Sequence, residues 1–102
     1  MVREAAADCV DLAEQAPRWV ESARDDQIRQ TAGDIGLKLR RAAFYEPPLS
    51  PADLTRLESA ARELHLMDEA ERTLDGGATM RWIVERVHAH AAFLQRLVSQ
   101  RP

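Results

Sequence analysis

The sequence predicts an all-α protein folded as a compact, up-down (antiparallel) four-helix bundle, and three observations lead to this prediction. Most residues are good helix formers, chiefly Ala, Leu, Arg, Glu and Gln, whereas β-branched residues are scarce. No stretch alternates apolar and polar residues over the length of a strand. The few proline and glycine residues divide the chain into four helical segments. The connections are short, which makes sequential helices antiparallel.

The first two predicted helices cover about residues 2–15 and 18–46. Pro17 suits the first turn of a helix but kinks a helix interior, so we expect either a start or a kink there. Helix 2 is long and contains glycine, which costs about 1 kcal/mol in a helix interior. We therefore expect that it is broken or kinked near residues 24–27 or at the pair Gly33 and Gly36.

The last two predicted helices follow clear boundary signals. The segment EPPLSPAD at residues 46–53 cannot be continuous helix, because its adjacent prolines lack donors and favour extended backbone. Ser50 suits the N-cap and Pro51 the first helical position, so helix 3 is expected at about 52–74. The segment DGGAT at residues 75–79 predicts a glycine C-cap and a new start, with helix 4 at about 79–99.

Length and composition limit the class of protein. The chain has 102 residues, 45% of them apolar and 30% charged, which is typical of one globular domain spanning residues 1–102. It has no apolar run of the ~20 residues that a membrane span requires. Its first fifteen residues are charged throughout, unlike a secretory signal. We therefore expect a cytoplasmic protein that does not bind membranes.

The charge and the cysteine content exclude further classes. The net charge of −3 argues against nucleic acid as a partner, because such binding depends on neutralising phosphates. Cys9 is the single cysteine, so it forms no internal disulfide and supplies no multi-cysteine zinc site. On an alanine-rich helix we expect it to be a small buried apolar side chain rather than a nucleophile.

Helices 2, 3 and 4 each carry an apolar stripe at helical spacing, which predicts their core-facing sides. The stripe of helix 2 comprises Ile28, Ala32, Ile35, Leu39, Ala42 and Ala43. That of helix 3 comprises Leu54, Leu57, Ala60, Ala61, Leu64, Met67 and Leu74. That of helix 4 comprises Met80, Ile83, Val84, Val87, Ala91, Leu94, Leu97 and Val98.

The apolar arc of helix 4 is wider than this stripe. Trp82, Ala89 and Phe93 lie well round from its centre, and Arg86 falls between Trp82 and Phe93. The arc then covers about half of the circumference, whereas a surface helix needs only ~100°. Helix 2 has a comparable second face, formed among its basic residues by Leu37 and Phe44.

Two interpretations of these second faces stay open. In the first interpretation, helix 4 lies centrally in the monomer and buries both of its faces, while Leu37 and Phe44 are scattered surface residues. Alternatively, the faces bind a protein partner, since aromatic residues and arginine are enriched at interface centres. Homodimerisation satisfies both interpretations. The candidate interface residues are Trp82, Arg86, Ala89, Phe93, Leu37 and Phe44.

Two of the three histidines lie close together on helix 4, but their spacing does not predict a metal site. His88 and His90 differ by about 200° around a helix, so they point apart and cannot chelate one ion. Glu85 and His88 share a face at the spacing of di-iron bundles, yet the chain has no second Glu-x-x-His pair. His90 falls within the apolar arc, where a neutral core histidine bonded to a carbonyl or an acid is expected. We predict no metal, no cofactor and no catalytic residue.

The alternative function is DNA binding through helix 2. Residues 28–44 resemble a helix-turn-helix, with a turn at Gly33 followed by a helix that carries Lys38, Arg40 and Arg41. The core stripe, however, continues through the supposed turn from Ala32 to Ile35. Our main prediction is therefore a small non-enzymatic protein–protein interaction module. It is either a regulatory or accessory protein or a subunit of a larger assembly, and it self-associates.

Overall fold

A computed structural model of the protein describes residues 2–45, 50–70 and 76–100. Over these ranges the chain forms α1 (Val2–Glu21), α2 (Asp25–Tyr45), α3 (Pro51–Ala70) and α4 (Gly76–Ser99), and it contains no strand. Sequential helices are antiparallel, and α4 returns to pack against α1, so the four helices close into a ring around one core. The predicted all-α, up-down four-helix bundle is confirmed.

The boundary between the first two helices differs from the prediction. α1 runs through Pro17 to Glu21, and the chain turns at residues 22–24 instead. The turn is a Schellman motif: the Arg24 N–H donates to the Trp19 carbonyl at 2.7 Å, and the Ala23 N–H donates to the Val20 carbonyl at 3.2 Å. Ala23 takes the left-handed position with a φ of 57°, where glycine is usual. The expected break near residues 24–27 is therefore the start of α2.

The long second helix is continuous from its start. α2 extends from Asp25 to Tyr45 and includes both Gly33 and Gly36. The helix-turn-helix geometry considered for residues 28–44 is wrong, because no turn occurs at Gly33. Gly36 is instead a point of close helix packing: a Cβ there would lie 2.6 Å from the His65 backbone nitrogen and 2.8 Å from the Ala61 carbonyl oxygen. Contact with α3 compensates for the weak helix propensity of glycine.

The start of α3 follows the prediction within one residue. Ser50 caps the helix, since its Oγ accepts a hydrogen bond from the Asp53 N–H at 3.1 Å, and Pro51 is the first helical residue. The predicted end of helix 3 near residue 74 lies outside the described residues. α4 begins at Gly76 rather than at 79, so both glycines expected at a C-cap belong to its first turn.

The core forms where the apolar stripes meet. The described stripe residues of α2, α3 and α4 are buried or partly buried, as predicted, and α1 adds a face of small side chains together with Leu12. Cys9 belongs to this face: it is fully buried and its thiol donates to the Val87 carbonyl of α4 at 3.7 Å. Among the described residues, no helix is both long enough and apolar enough to cross a membrane.

Candidate functional site

Over the described residues, the backbones of α3 and α4 approach each other at fewer positions than those of α2 and α3. Long side chains span the gap and leave an open cleft of about 410 Å³, which we call the α3–α4 cleft. Its apolar lining consists of Ala60, Ala89, Ala92 and Phe93. Its polar lining consists of Arg56, Ser59, Arg86, His90 and Arg96.

Beside the cleft, one carboxylate links the two helices. Glu63 of α3 accepts a hydrogen bond from Arg86 Nε at 2.5 Å and another from His90 Nε2 at 2.7 Å, both at its Oε1 atom. Because an ionised carboxylate only accepts hydrogen bonds, His90 carries its proton on Nε2. His90 is 7% exposed, which confirms the prediction of a core histidine bonded to an acid.

Burial and hydrogen bonding have opposite effects on the pKa values of Glu63 and His90. Burial alone would raise the pKa of Glu63, but hydrogen bonds from Arg86 and His90 outweigh it and lower the pKa below its usual range. Burial also lowers the pKa of His90, and Glu63 only partly offsets this effect. The network therefore holds an ionised Glu63 beside a neutral His90 at neutral pH, with Arg86 as the compensating cation.

At the other end of the cleft, an arginine covers the ring of Phe93 on α4. The guanidinium carbon of Arg56 lies 4.3 Å from the centroid of the Phe93 ring. This cation–π contact fixes the plane of the guanidinium but uses none of its N–H donors. It also leaves Phe93 only 6% exposed.

The predicted interface residues of α4 divide into two groups. Arg86 and Ala89 line the α3–α4 cleft, and Trp82 lies one turn before Arg86 with 40% of its surface exposed. Phe93 differs from the expectation, because Arg56 and the core already cover its ring within the chain. For this residue the interpretation of a wide arc buried in the monomer is correct.

The predicted interface residues of α2 lie on a different surface. Phe44 lines a second open groove with Leu66 of α3, of about 600 Å³, which we call the α2–α3 groove. Its remaining lining consists of Arg40, Ala43, Glu58, Arg62 and His65. Leu37 lies two turns before Phe44 on the same face of α2. The structure thus places the two halves of the predicted interface on separate faces of the bundle.

The basic residues considered for DNA contact are not grouped on one surface. Lys38 faces α1 and donates to Asp8 Oδ2 at 2.5 Å, with Glu4 at 3.5 Å. The hydrogen bond with Asp8 raises the pKa of Lys38. Arg40 and Arg41 are exposed, and Arg40 lines the α2–α3 groove. Of the three basic residues considered for DNA contact, Lys38 is thus already engaged in an ion pair within the chain.

The other chemically reactive side chains lie apart. His88 is exposed and its Nδ1 lies 2.9 Å from the Val84 carbonyl oxygen on the same helix. Burial raises the pKa of the Cys9 thiol to about 12, so it is fully protonated at neutral pH. Within the part of the chain that the structure describes, no three His, Cys, Asp or Glu side chains are placed to hold a metal ion.

Sequence reasoning missed Arg56, Glu63 and Arg96 as parts of one site. Each lies outside an apolar stripe, so each is indistinguishable from a solvated surface residue when its helix is considered alone. A usable signal was His90, which falls on an apolar arc and therefore needs a polar partner on the adjacent helix. When α3 and α4 are paired as antiparallel neighbours, Glu63 comes within hydrogen-bonding distance of His90.

Comparison of the chain with protein-family models, with curated proteins and with solved structures finds no match.

Proposed function

We propose that the protein is a small, non-enzymatic protein–protein interaction module of the cytoplasm, a regulatory or accessory protein that self-associates as a homodimer. The observation that carries the proposal is the exposure of large apolar side chains around the α2–α3 groove. Phe44 and Leu66 line the groove and are 80% and 51% exposed, and Leu37, which is 41% exposed, lies two turns before Phe44 on the same face of α2. Exposed apolar residues that adjoin one another, rather than being scattered singly, are typical of association surfaces.

The charges around the groove favour a second copy of the chain as the occupant. Arg40 and Arg62 lie in the groove beside Glu58, so the surface carries both signs of charge around its apolar residues. Under twofold symmetry the same patch meets itself, and an arginine of one copy can face Glu58 of the other. A surface of a single sign would repel its copy instead.

The state of the reactive side chains supports a non-enzymatic role. The Cys9 thiol is buried and protonated, which is the state of a structural cysteine rather than a nucleophile. The imidazole of His90 is buried, and its only proton is directed to Glu63. Both groups contribute to contacts between helices: the Cys9 thiol donates to the Val87 carbonyl, and His90 is linked through Glu63 to Arg86.

Sedimentation equilibrium of the variant Phe44→Ser with Leu66→Ser tests this proposal. We expect a dimer for the wild-type protein and a monomer for the double variant. Thermal stability should change little, because exposed side chains contribute within about 0.5 kcal/mol each. Val20→Ser is the matched control, since Val20 is 42% exposed but lies on α1 away from the groove; it should remain dimeric.

A wild-type protein that is monomeric at all concentrations would contradict the homodimer. A double variant that remains dimeric would place the interface elsewhere. A double variant that loses much of its thermal stability without any change in mass would show that these residues belong to the fold rather than to a binding surface.

A further inference from the structure

The α3–α4 cleft combines positive charge with the lack of an acidic lining residue. Arg56, Arg86 and Arg96 line it, and none of the lining residues that the structure describes is Asp or Glu. Glu63 adjoins the cleft and already accepts hydrogen bonds from two of its lining residues, Arg86 and His90. Glu63 pairs with Arg86 alone among the three arginines, so the described lining carries an excess of positive charge in a protein whose net charge is −3.

Guanidinium donors in the cleft are available to a ligand. Arg86 donates to Glu63 through Nε, and this bond leaves the two terminal nitrogens of Arg86 for another acceptor. The contact of Arg56 with Phe93 involves only the face of its guanidinium. Arg96 is exposed and forms no ion pair with any residue in the described ranges. Planar N–H forks of this kind bind carboxylates in pairs of parallel hydrogen bonds.

The spacing of the arginines determines the size of the ligand. Arg86 and Arg96 are ten residues apart on α4, which corresponds to a rise of about 15 Å along the helix axis. A single small anion does not reach both ends of such a site. A chain with several acidic groups does reach both ends, and the small exposed side chains of Ala89 and Ala92 between them allow a peptide backbone to lie close to α4.

The surface of the cleft favours a peptide over a nucleic acid. Single-stranded nucleic acids bind through aromatic rings on which their bases stack. The aromatic residue of the cleft, Phe93, is 6% exposed and its ring is covered by Arg56. The described lining of the α3–α4 cleft thus offers arginine donors and small side chains but no exposed aromatic ring. Such a lining suits an extended chain that carries carboxylates better than it suits stacked bases.

We propose that the α3–α4 cleft binds an acidic segment of a partner protein, with Arg56 and Arg96 holding carboxylates at one end and Arg86 at the other. This inference rests on the proposed function as a protein-binding module, and it adds the chemistry of the partner. The cleft lies on a different face from the α2–α3 groove, so a dimer formed through the groove presents one cleft on each copy.

Fluorescence anisotropy with a labelled oligoglutamate peptide tests the cleft directly. We expect saturable binding to the wild-type protein that weakens with rising salt, and no binding of the matched oligoglutamine peptide. The variant Arg56→Gln with Arg96→Gln should weaken binding by about tenfold or more, because each arginine supplies charge-assisted hydrogen bonds. The control variant Arg18→Gln with Arg24→Gln removes the same charge from exposed positions outside the cleft and should bind as the wild type does.

Because loss of Arg56 could disturb the packing of Phe93, the single variant Arg96→Gln is tested as well. Arg96 is exposed and forms no ion pair with the described residues. The single variant should retain the wild-type melting temperature and still weaken binding. Equal weakening by the control variant would overturn the proposal in favour of non-specific charge attraction. Full competition by inorganic phosphate, or tighter binding of an oligonucleotide than of oligoglutamate, would also overturn it.

Sedimentation of the same samples separates this proposal from the homodimer. A protein that is monomeric and binds oligoglutamate in the cleft contradicts self-association and supports the cleft. A dimer that does not bind oligoglutamate supports self-association and contradicts the cleft.

Discussion

The two sides of α3 are packed in opposite ways. On one side α2 lies so close that the Cα of Gly36 adjoins the α3 backbone, where a Cβ would be 2.6 Å from the His65 nitrogen. On the other side α4 stands away, and the gap is bridged by the side chains of Glu63, Arg86 and His90. The same helix thus forms a backbone-to-backbone contact on one flank and a polar, side-chain-mediated contact on the other.

The size of the residues at each contact explains this difference. The distance between packed helices depends on the side chains at the crossing, and glycine and alanine allow the closest approach. Gly36 meets Ala61 on the α2 side, whereas Arg56 covers Phe93 on the α4 side. At Gly36 the close contact leaves no room between the backbones of α2 and α3. On the α4 side, long charged side chains leave a cleft with donors, which is why we assign the acidic segment to this side, whereas the proposed self-association uses exposed side chains around the α2–α3 groove.

The largest expected effect is that of adding one methyl group to the close contact. Gly36→Ala places a Cβ against backbone atoms of Ala61 and His65, which cannot move aside as a side chain end would. We expect a loss of about 2–3 kcal/mol in the free energy of unfolding, since overpacking exceeds the roughly 1 kcal/mol that alanine gains in helix propensity. The corresponding fall in Tm is about 10 °C or more, measurable by circular dichroism.

Gln30→Ala is the control for this substitution, because Gln30 is exposed on the same helix. It should change stability by no more than about 0.5 kcal/mol. If Gly36→Ala proved as stable as the wild type or more stable, α2 and α3 would not approach as closely as the structure has them.

A smaller effect is expected from the polar contact on the α4 side. Glu63→Gln keeps the size of the side chain but removes the negative charge that Arg86 and His90 share. Hydrogen bonds to charged groups contribute about 1.5–3 kcal/mol, and the remaining amide oxygen recovers part of this. We expect a loss of about 1–2 kcal/mol in chemical denaturation.

Glu85→Gln is matched to this variant, because Glu85 is an exposed acid on α4 that lines neither the α3–α4 cleft nor the α2–α3 groove. It should remain within about 0.5 kcal/mol of the wild type. Equal losses for both substitutions would mean that Glu63 acts only through the overall charge of the bundle and not through its bonds to α4.

The contrast between the two flanks also shows what the sequence predicted. Helix number, the antiparallel order and the core stripes followed from periodicity and from the signals at Ser50 and Pro51, because these depend on residues close in sequence. The end of α1 could not be predicted from such signals. Ala23 occupies a left-handed position that glycine usually marks, and Pro17 is accommodated within the helix. At Ala23 the backbone hydrogen bonds of the Schellman motif hold a conformation that the residue type does not predict.

The site was less predictable than the fold because it depends on two helices at once. The role of Gly36 as a packing contact depends on α3, and the burial of Phe93 depends on Arg56. The pattern of α4 alone indicated a wide apolar arc with Arg86 in it, and this arc proved to be one wall of the α3–α4 cleft. The opposite wall comes from residues of α3 that are unremarkable on their own helix.

The smallest expected effect is on the pH dependence of stability, which tests the burial of His90 in the contact between α3 and α4. His90 has its pKa lowered below the ordinary value of 6.5, mainly by burial, so the unfolded chain takes up a proton before the folded protein does. Stability should therefore fall as the pH decreases from 7 through 6.5 and below, until the folded histidine also becomes protonated. His90→Gln retains a donor toward Glu63 but does not titrate, so its stability should be flatter over this range. His65 and His88 are exposed and present in both proteins, and their contributions cancel in the comparison. Parallel pH profiles for the two proteins in urea denaturation would show that His90 is protonated equally in the folded and unfolded chains, and that the α3–α4 contact does not bury it.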